Sequence, residues 1–159
     1  MDDVTLPPMT RADAEIWVAW LVSLRGQLGT FTLGDPIGKT PRGALGGTPL
    51  VNGAGQTGQD LIIDGCSNSI TGWLKAGDYI QLGSGSTARL HKVLADVNTN
   101  GSGQATLTLW PNIRTAPADN AAVTVTNTVG LWRLASNESS WSVNEASVYG
   151  ISFTAMEAV

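Results

Sequence analysis

The chain of 159 residues has one cysteine, one histidine, two tyrosines, two phenylalanines and few charges, only 14% of its residues being Asp, Glu, Lys or Arg. With Cys66 alone there is no internal disulfide framework and no thiolate metal cluster, and the residue reads as a small hydrophobe. Nine Lys and Arg against thirteen acids give a formal charge of −4, which provides no basic surface to neutralise phosphates and excludes nucleic-acid binding. No apolar run approaches the ~20 residues that cross a bilayer, so no membrane insertion is expected. MDDVTLPPM has acids where a signal peptide carries basic residues, and a soluble protein made in the cytoplasm is expected.

What is abundant is glycine, at 19 residues, and tryptophan, at six. Glycine at this level, clustered with Asn, Ser and Thr, indicates tight turns between short strands, so the fold is expected to be mainly β. One helix stands out. Thr10 fits an N-cap with Asp13 three residues on as a weak capping-box partner, and Ala14, Trp17, Leu21, Leu24 and Leu28 recur at spacings of three and four from Arg11 to about Arg25. This stripe is expected to be the core face, Trp17 included. Ile16 and Trp20 form a second apolar pair on a neighbouring face and are the candidate subunit contacts, because a helix apolar over more than half its girth needs a cover.

The stretch LRGQLGTFTLGDP, residues 24–36, superficially suggests a phosphate loop, but its glycines follow a helix instead of preceding one. A helix C-terminus offers carbonyls and partial negative charge, which repel phosphate. The stretch is therefore expected to be a helix stop at Gly26 or Gly29, a strand over Thr30–Leu33 and a turn at Asp35-Pro36.

Residues 37–60 are glycine-rich with almost no apolar periodicity and are expected to form an extended connection. From Leu61 to about residue 128, short alternating segments such as GDYIQLG, TARLHKV and QATLTL are separated by GSGS and NTNGSG. They predict a small antiparallel β-barrel or meander lobe in which the strands at Gln81–Leu82, Leu90–Leu94 and Ala105–Leu109 are neighbours. At the end of the chain Tyr149, Ile151, Phe153 and Ala155 alternate with Gly150, Ser152 and Thr154 as a strand, whose nearest partners are expected around Val4–Leu6 and Thr30–Leu33. The expected architecture is a β-sandwich-like lobe with one α-helix, residues 1–36 plus 129–159, interrupted by the inserted lobe 61–128.

No catalytic set emerges, and no enzyme activity, cofactor or metal is expected. His91 lies mid-strand without a GxSxG elbow or converging partners. Asp35, Asp64, Asp78 and Asp119 stand at turns, and Glu138, Glu145 and Glu157 are spread along the C-terminal segment, so no carboxylate pair is singled out. The six Trp fit core packing or subunit interfaces more simply than a sugar-stacking face, since Trp17 and Trp20 share the helix while Trp73, Trp110, Trp132 and Trp141 are scattered.

Three stretches, VTLPPMTRADAEIWVAWLVSLRGQLGTFTLGDP, AGDYIQLGSGSTARLHKVLADVNTNGSGQATLTLWPNIRTAPADNAAV and SWSVNEASVYGISFTAMEAV, together resemble the distal-tail or minor-tail proteins of long-tailed bacteriophages. The resemblance implies a homo-oligomer, a ring usually of six subunits in the virion tail. The ring would lie between the tail tube or terminator protein and the tail hub proteins of the tip. Similar proteins have further strands ahead of the segment matching VTLPPM; either such strands are missing here or a neighbouring chain supplies that edge. The alternatives are a carbohydrate-binding or host-recognition module of a tail, and a tail-associated hydrolase.

Overall fold

The computed structural model describes residues 2–158. The chain is mainly β, 40% strand and 12% helix, with one α-helix among the described residues. In chain order the elements are β1 (Asp2–Thr5), α1 (Arg11–Ser23), β2 (Thr30–Leu33), β3 (Gly47–Val51), β4 (Gly58–Cys66), β5 (Tyr79–Leu82), β6 (Arg89–Val93), β7 (Ala105–Ile113), β8 (Val123–Thr124), β9 (Gly130–Leu134), β10 (Trp141–Val143) and β11 (Tyr149–Glu157). They form two compact units, one of residues 1–32 with 131–159 and one of residues 33–130.

The first unit is a five-stranded sheet in the order β1-β11-β9-β2, with β10 also pairing β11. As its alternation predicts, β11 turns Ile151 and Ala155 inward, and its Phe153 stands opposite Val4 of β1. The pairing with β2 expected from sequence does not occur. Instead β9 lies between them, its Leu134 opposite Ala155, because the chain returning through residues 130–134 takes that edge of β11 first.

Helix α1 packs on this sheet through Ala14, Leu21 and Leu24, which are buried with Leu134 and Ile151. Thr10 caps it in extended backbone, but its hydroxyl donates to the Asp13 carboxylate at 2.9 Å and accepts no backbone N–H. The helix ends where Arg25 and Gly26 both turn left-handed, at φ 53° and 66°, whereas Gly29 keeps φ −77°. Gly26 is favoured there twice over: glycine takes the left-handed conformation without strain, and a Cβ would come within 2.8 Å of the Asn137 Cα.

Trp17 is not part of the core. It is 37% exposed, and it is Trp20 that packs inward, against Phe31 and Phe153. Leu28, placed on the same stripe by spacing, is also exposed, since it lies beyond the last helical turn in a 3₁₀ segment.

The second unit is a six-stranded antiparallel sheet in the order β3-β4-β7-β6-β5-β8, nearly closed into a barrel. Closure runs through a bridge between Leu50 and Ala122, flanked by the Val51 N–H to the Ala121 carbonyl and the Asn120 N–H to the Val51 carbonyl, both 2.9 Å. The expected neighbours β5, β6 and β7 are consecutive in the sheet. Val51, Leu61, Ile63, Trp73, Leu74, Ile80, Val93, Leu107 and Leu109 fill the interior.

The segment 37–60 is not an extended connection. It carries β3 and the first residues of β4, and Val51 within it is fully buried. Its glycines serve close packing: a Cβ on Gly47, at φ 82°, would run into the Gly65 carbonyl of β4.

Candidate interaction surfaces

Polar chemistry in the second unit is concentrated on holding its loops. Asp78, which follows Gly77 at the turn before β5, is 5% exposed and accepts from the backbone N–H groups of Arg42 at 3.0 Å, Gly43 at 3.2 Å and Lys75 at 2.8 Å. The Arg42 guanidinium reaches the same carboxylate and donates to the Ala76 carbonyl. Next to it, Asp96 accepts from Lys75 Nζ and the Ala76 N–H, and these two bonds, the Lys75 one foremost, hold its carboxyl below the usual range. Asp35 and Asp119 bond backbone N–H groups at Ile37 and Gly53. These are structural duties, and they leave the carboxylates committed to donors of the fold.

His91 is buried inside the barrel, and its Nδ1–H donates to the Pro111 carbonyl at 2.7 Å. Cys66 is buried too; burial, then the nearby Asp64 carboxylate, push its thiol from 9.0 up to about 11, so it is a poor nucleophile and a poor metal ligand at neutral pH. Among the described residues no group of three or more His, Cys, Asp or Glu side chains is placed to hold a metal ion.

What remains is surface. On the first unit the sequence IWVAWLV, residues 16–22, makes α1 apolar all round, and only one side of a helix can face a sheet. Ile16, at 72% exposed, and Val22, at 58%, are left in solvent, nearly two turns apart along α1, and Trp17 is partly exposed. Of the two candidate contacts, Ile16 is therefore outward, while Trp20 is half-buried within the cluster it forms with Trp17, Phe31 and Phe153, at centroid distances of 5.1–5.7 Å.

The same unit has an open trough of 450 Å³. It lies where β11 pairs β9 at residues 155–157 and β10 at residues 149–151, with the Ala135 N–H still bonded to the Thr154 carbonyl at 2.8 Å and residues 136–140 outside both ladders. Leu21, Leu134 and Phe153 lie along it, with Ser139, Ser140 and Glu138 among the polar residues that line it. Asp3, also in its wall, accepts the Thr154 hydroxyl at 2.6 Å. The spread of Glu138, Glu145 and Glu157 seen in the sequence persists: only Glu138 lines the trough.

On the second unit Trp110 is 64% exposed, in a cross-strand row with Lys92 of β6 and Tyr79 of β5. The Lys92 ammonium leans away from Trp110, 4.6 Å above the Tyr79 ring, which leaves the indole uncovered. Ile62 of β4 and Leu94, just past the end of β6, are exposed as well, β4 and β6 being the strands that flank β7. Alternation along ATLTLW sets Trp110 on the same side of β7 as Thr106 and Thr108, opposite the buried Leu107 and Leu109.

No protein-family model matches the chain, and no curated protein is significantly similar to it.

Proposed function

We propose that the protein is a structural subunit of a bacteriophage tail, forming a homo-oligomeric ring of the six-fold kind the resemblance implies, at the distal end between tail tube and tail tip. The observation that carries this reading is the bare apolar side of α1: Ile16 and Val22 are exposed on a helix whose residues 16–22 include no charge. Such a strip is stable in water only at a cost in solubility, and a ring contact repeated around an axis removes it. The position of the chain's acids in loop-holding roles agrees with an assembly part more than with a hydrolase. Purified tails probed with an antibody against this chain test the proposal, because a ring subunit is present in fixed stoichiometry. Tails that lack the chain end it.

A second reading, a host-recognition module that stacks a sugar, is favoured by the uncovered Trp110 indole. Its test is quenching or a shift of tryptophan emission on titration with host glycans, lost in Trp110→Ala.

A further inference from the structure

Two Asn-Gly pairs occur in the chain, Asn52-Gly53 and Asn100-Gly101, and they differ in what holds the glycine nitrogen and the asparagine side-chain oxygen. Asn-Gly is the dipeptide in which the backbone nitrogen after asparagine most easily attacks the side-chain amide, since glycine puts no Cβ in the way. We propose that Asn100 is a self-modification site, converting to aspartate and isoaspartate through a succinimide, and that Asn52 is held back by its neighbours.

The turn at residues 100–103 sets Asn100 up for this step. Its Oδ1 accepts from the N–H groups of Ser102 and Gln104, each at 2.9 Å. Two backbone N–H groups converging on one carbonyl oxygen form an oxyanion hole, placed where negative charge develops when Cγ is attacked. The bond to the Ser102 N–H also folds the side chain forward along its own backbone, which brings Cγ toward the Gly101 nitrogen and saves the entropy of finding that geometry. Asn100 and Gly101 are both exposed, so hydroxide and water have access.

The reaction balances with water as the sole co-reactant. The Gly101 N–H gives its proton to solvent base, and the nitrogen bonds to Asn100 Cγ, with charge collecting on Oδ1. The Cγ–Nδ2 bond then breaks and ammonia leaves with a proton from solvent. Water opens the imide at either carbonyl, giving a carboxylate on residue 100 or a backbone rerouted through its β-carbon. Either product makes the chain one charge more negative than its present −4.

At the other pair the nucleophile is guarded. The Gly53 N–H donates to the Asp119 carboxylate at 2.8 Å, and a negative charge beside a nitrogen opposes its deprotonation. The backbone is held at both pairs, by Gln56 Nε2 on the carbonyls of Asn52 and Gly53 and by the Ser69 and Gly103 N–H groups on the Asn100 carbonyl, so it is the bond of the attacking nitrogen to Asp119 that separates them.

The test is to hold the intact protein in warm, mildly alkaline buffer and follow both sites by peptide mass spectrometry, with the same chain in urea as reference. In the folded protein Asn100 is expected to convert about tenfold faster than Asn52, which follows if the one charge-assisted bond from the Gly53 N–H to Asp119 must break first at Asn52. In urea the two sites convert alike. Ser102→Pro removes one oxyanion donor and is expected to slow residue 100 about tenfold while far-UV circular dichroism stays unchanged. Should that variant not fold, the ratio of the two sites in the native chain decides by itself. Equal native rates, or a faster Asn52, would overturn the proposal, as would a folded Asn100 slower than in urea.

Discussion

Trp20 of α1 stands edge-on to Phe31 of β2, ring centroids 5.1 Å apart and planes at 74°, and Phe153 of β11 closes the cluster from the other side at 5.6 Å. One helical side chain thus joins a strand in the middle of the sheet to a strand at its edge. Edge-to-face pairs of this kind add to the area they bury, because the positive rim of one ring meets the negative face of the next.

Trp20→Ala is therefore expected to destabilise the protein by about 2–4 kcal/mol, somewhat under the cost for a fully enclosed tryptophan because Trp20 is only half-buried. Trp17→Ala, which removes a ring already in solvent contact, costs about 1 kcal/mol or less. Urea unfolding followed by circular dichroism gives both values, and the reverse ranking would contradict the packing described for α1.

The second prediction concerns Asp78. Replacing it by alanine strands the N–H groups of Arg42, Gly43 and Lys75, and the loss is expected to be about 3 kcal/mol, each unmet donor near the surface contributing roughly 1 kcal/mol. Asp78→Asn keeps acceptor oxygen on one side only and should fall about midway. Thermal unfolding of the two variants in parallel checks the order.

How far these features could be read in advance depends on how local their cause is. Helix α1 and strand β11 were legible because each repeats its apolar residues at the period of its own geometry over nine or more residues. The face of α1 was not, since IWVAWLV is apolar at every position and periodicity then cannot choose between Trp17 and Trp20. Strand β3 was hidden because its inward residues, Pro49 and Val51, are too few for a pattern and its glycines serve a contact with Gly65 that only the fold reveals. Asp78 looked like one turn acid among several; its donors at Arg42 and Gly43 lie 36 and 35 residues away, and no spacing rule reaches that far. The exposure of Ile16, a residue of IWVAWLV, emerges only with the fold, whereas that of Trp110 agrees with the alternation of β7, which sets it with Thr106 and Thr108 away from the barrel interior.

Cys66 gives a prediction with a defined sign in pH. Its thiol is raised from 9.0 to about 11 in the folded state, so folding favours the protonated form. The stability linked to this group is fully present below pH 9.0 and is lost as pH rises toward about 11, because the unfolded chain releases the proton first. The native protein is accordingly expected to resist a thiol-specific alkylating reagent at pH 8, a value about one unit below the ordinary thiol range. Labelling should become rapid in urea. Fast labelling of the folded protein would show that Cys66 is reached by solvent.

The last prediction bears on assembly. Ile16 is 72% exposed and its side chain adds little to the core, so Ile16→Glu is expected to change folding stability by less than about 0.5 kcal/mol, as surface substitutions generally do. It also puts a charge on the exposed side of α1, and a desolvated, unpaired carboxylate within an apolar contact is costly enough to abolish that contact. If α1 forms the ring interface, light scattering of Ile16→Glu should report monomers under conditions in which the parent chain forms a closed oligomer, or in which it joins tails when tail proteins are supplied. Trp110→Glu serves as the comparison, because it makes an equally exposed aromatic acidic on the other unit. Loss of assembly in Ile16→Glu alone would place the contact on α1. Loss in Trp110→Glu alone would move it to the barrel surface, and unchanged assembly in both would remove the apolar strip as an argument for a ring.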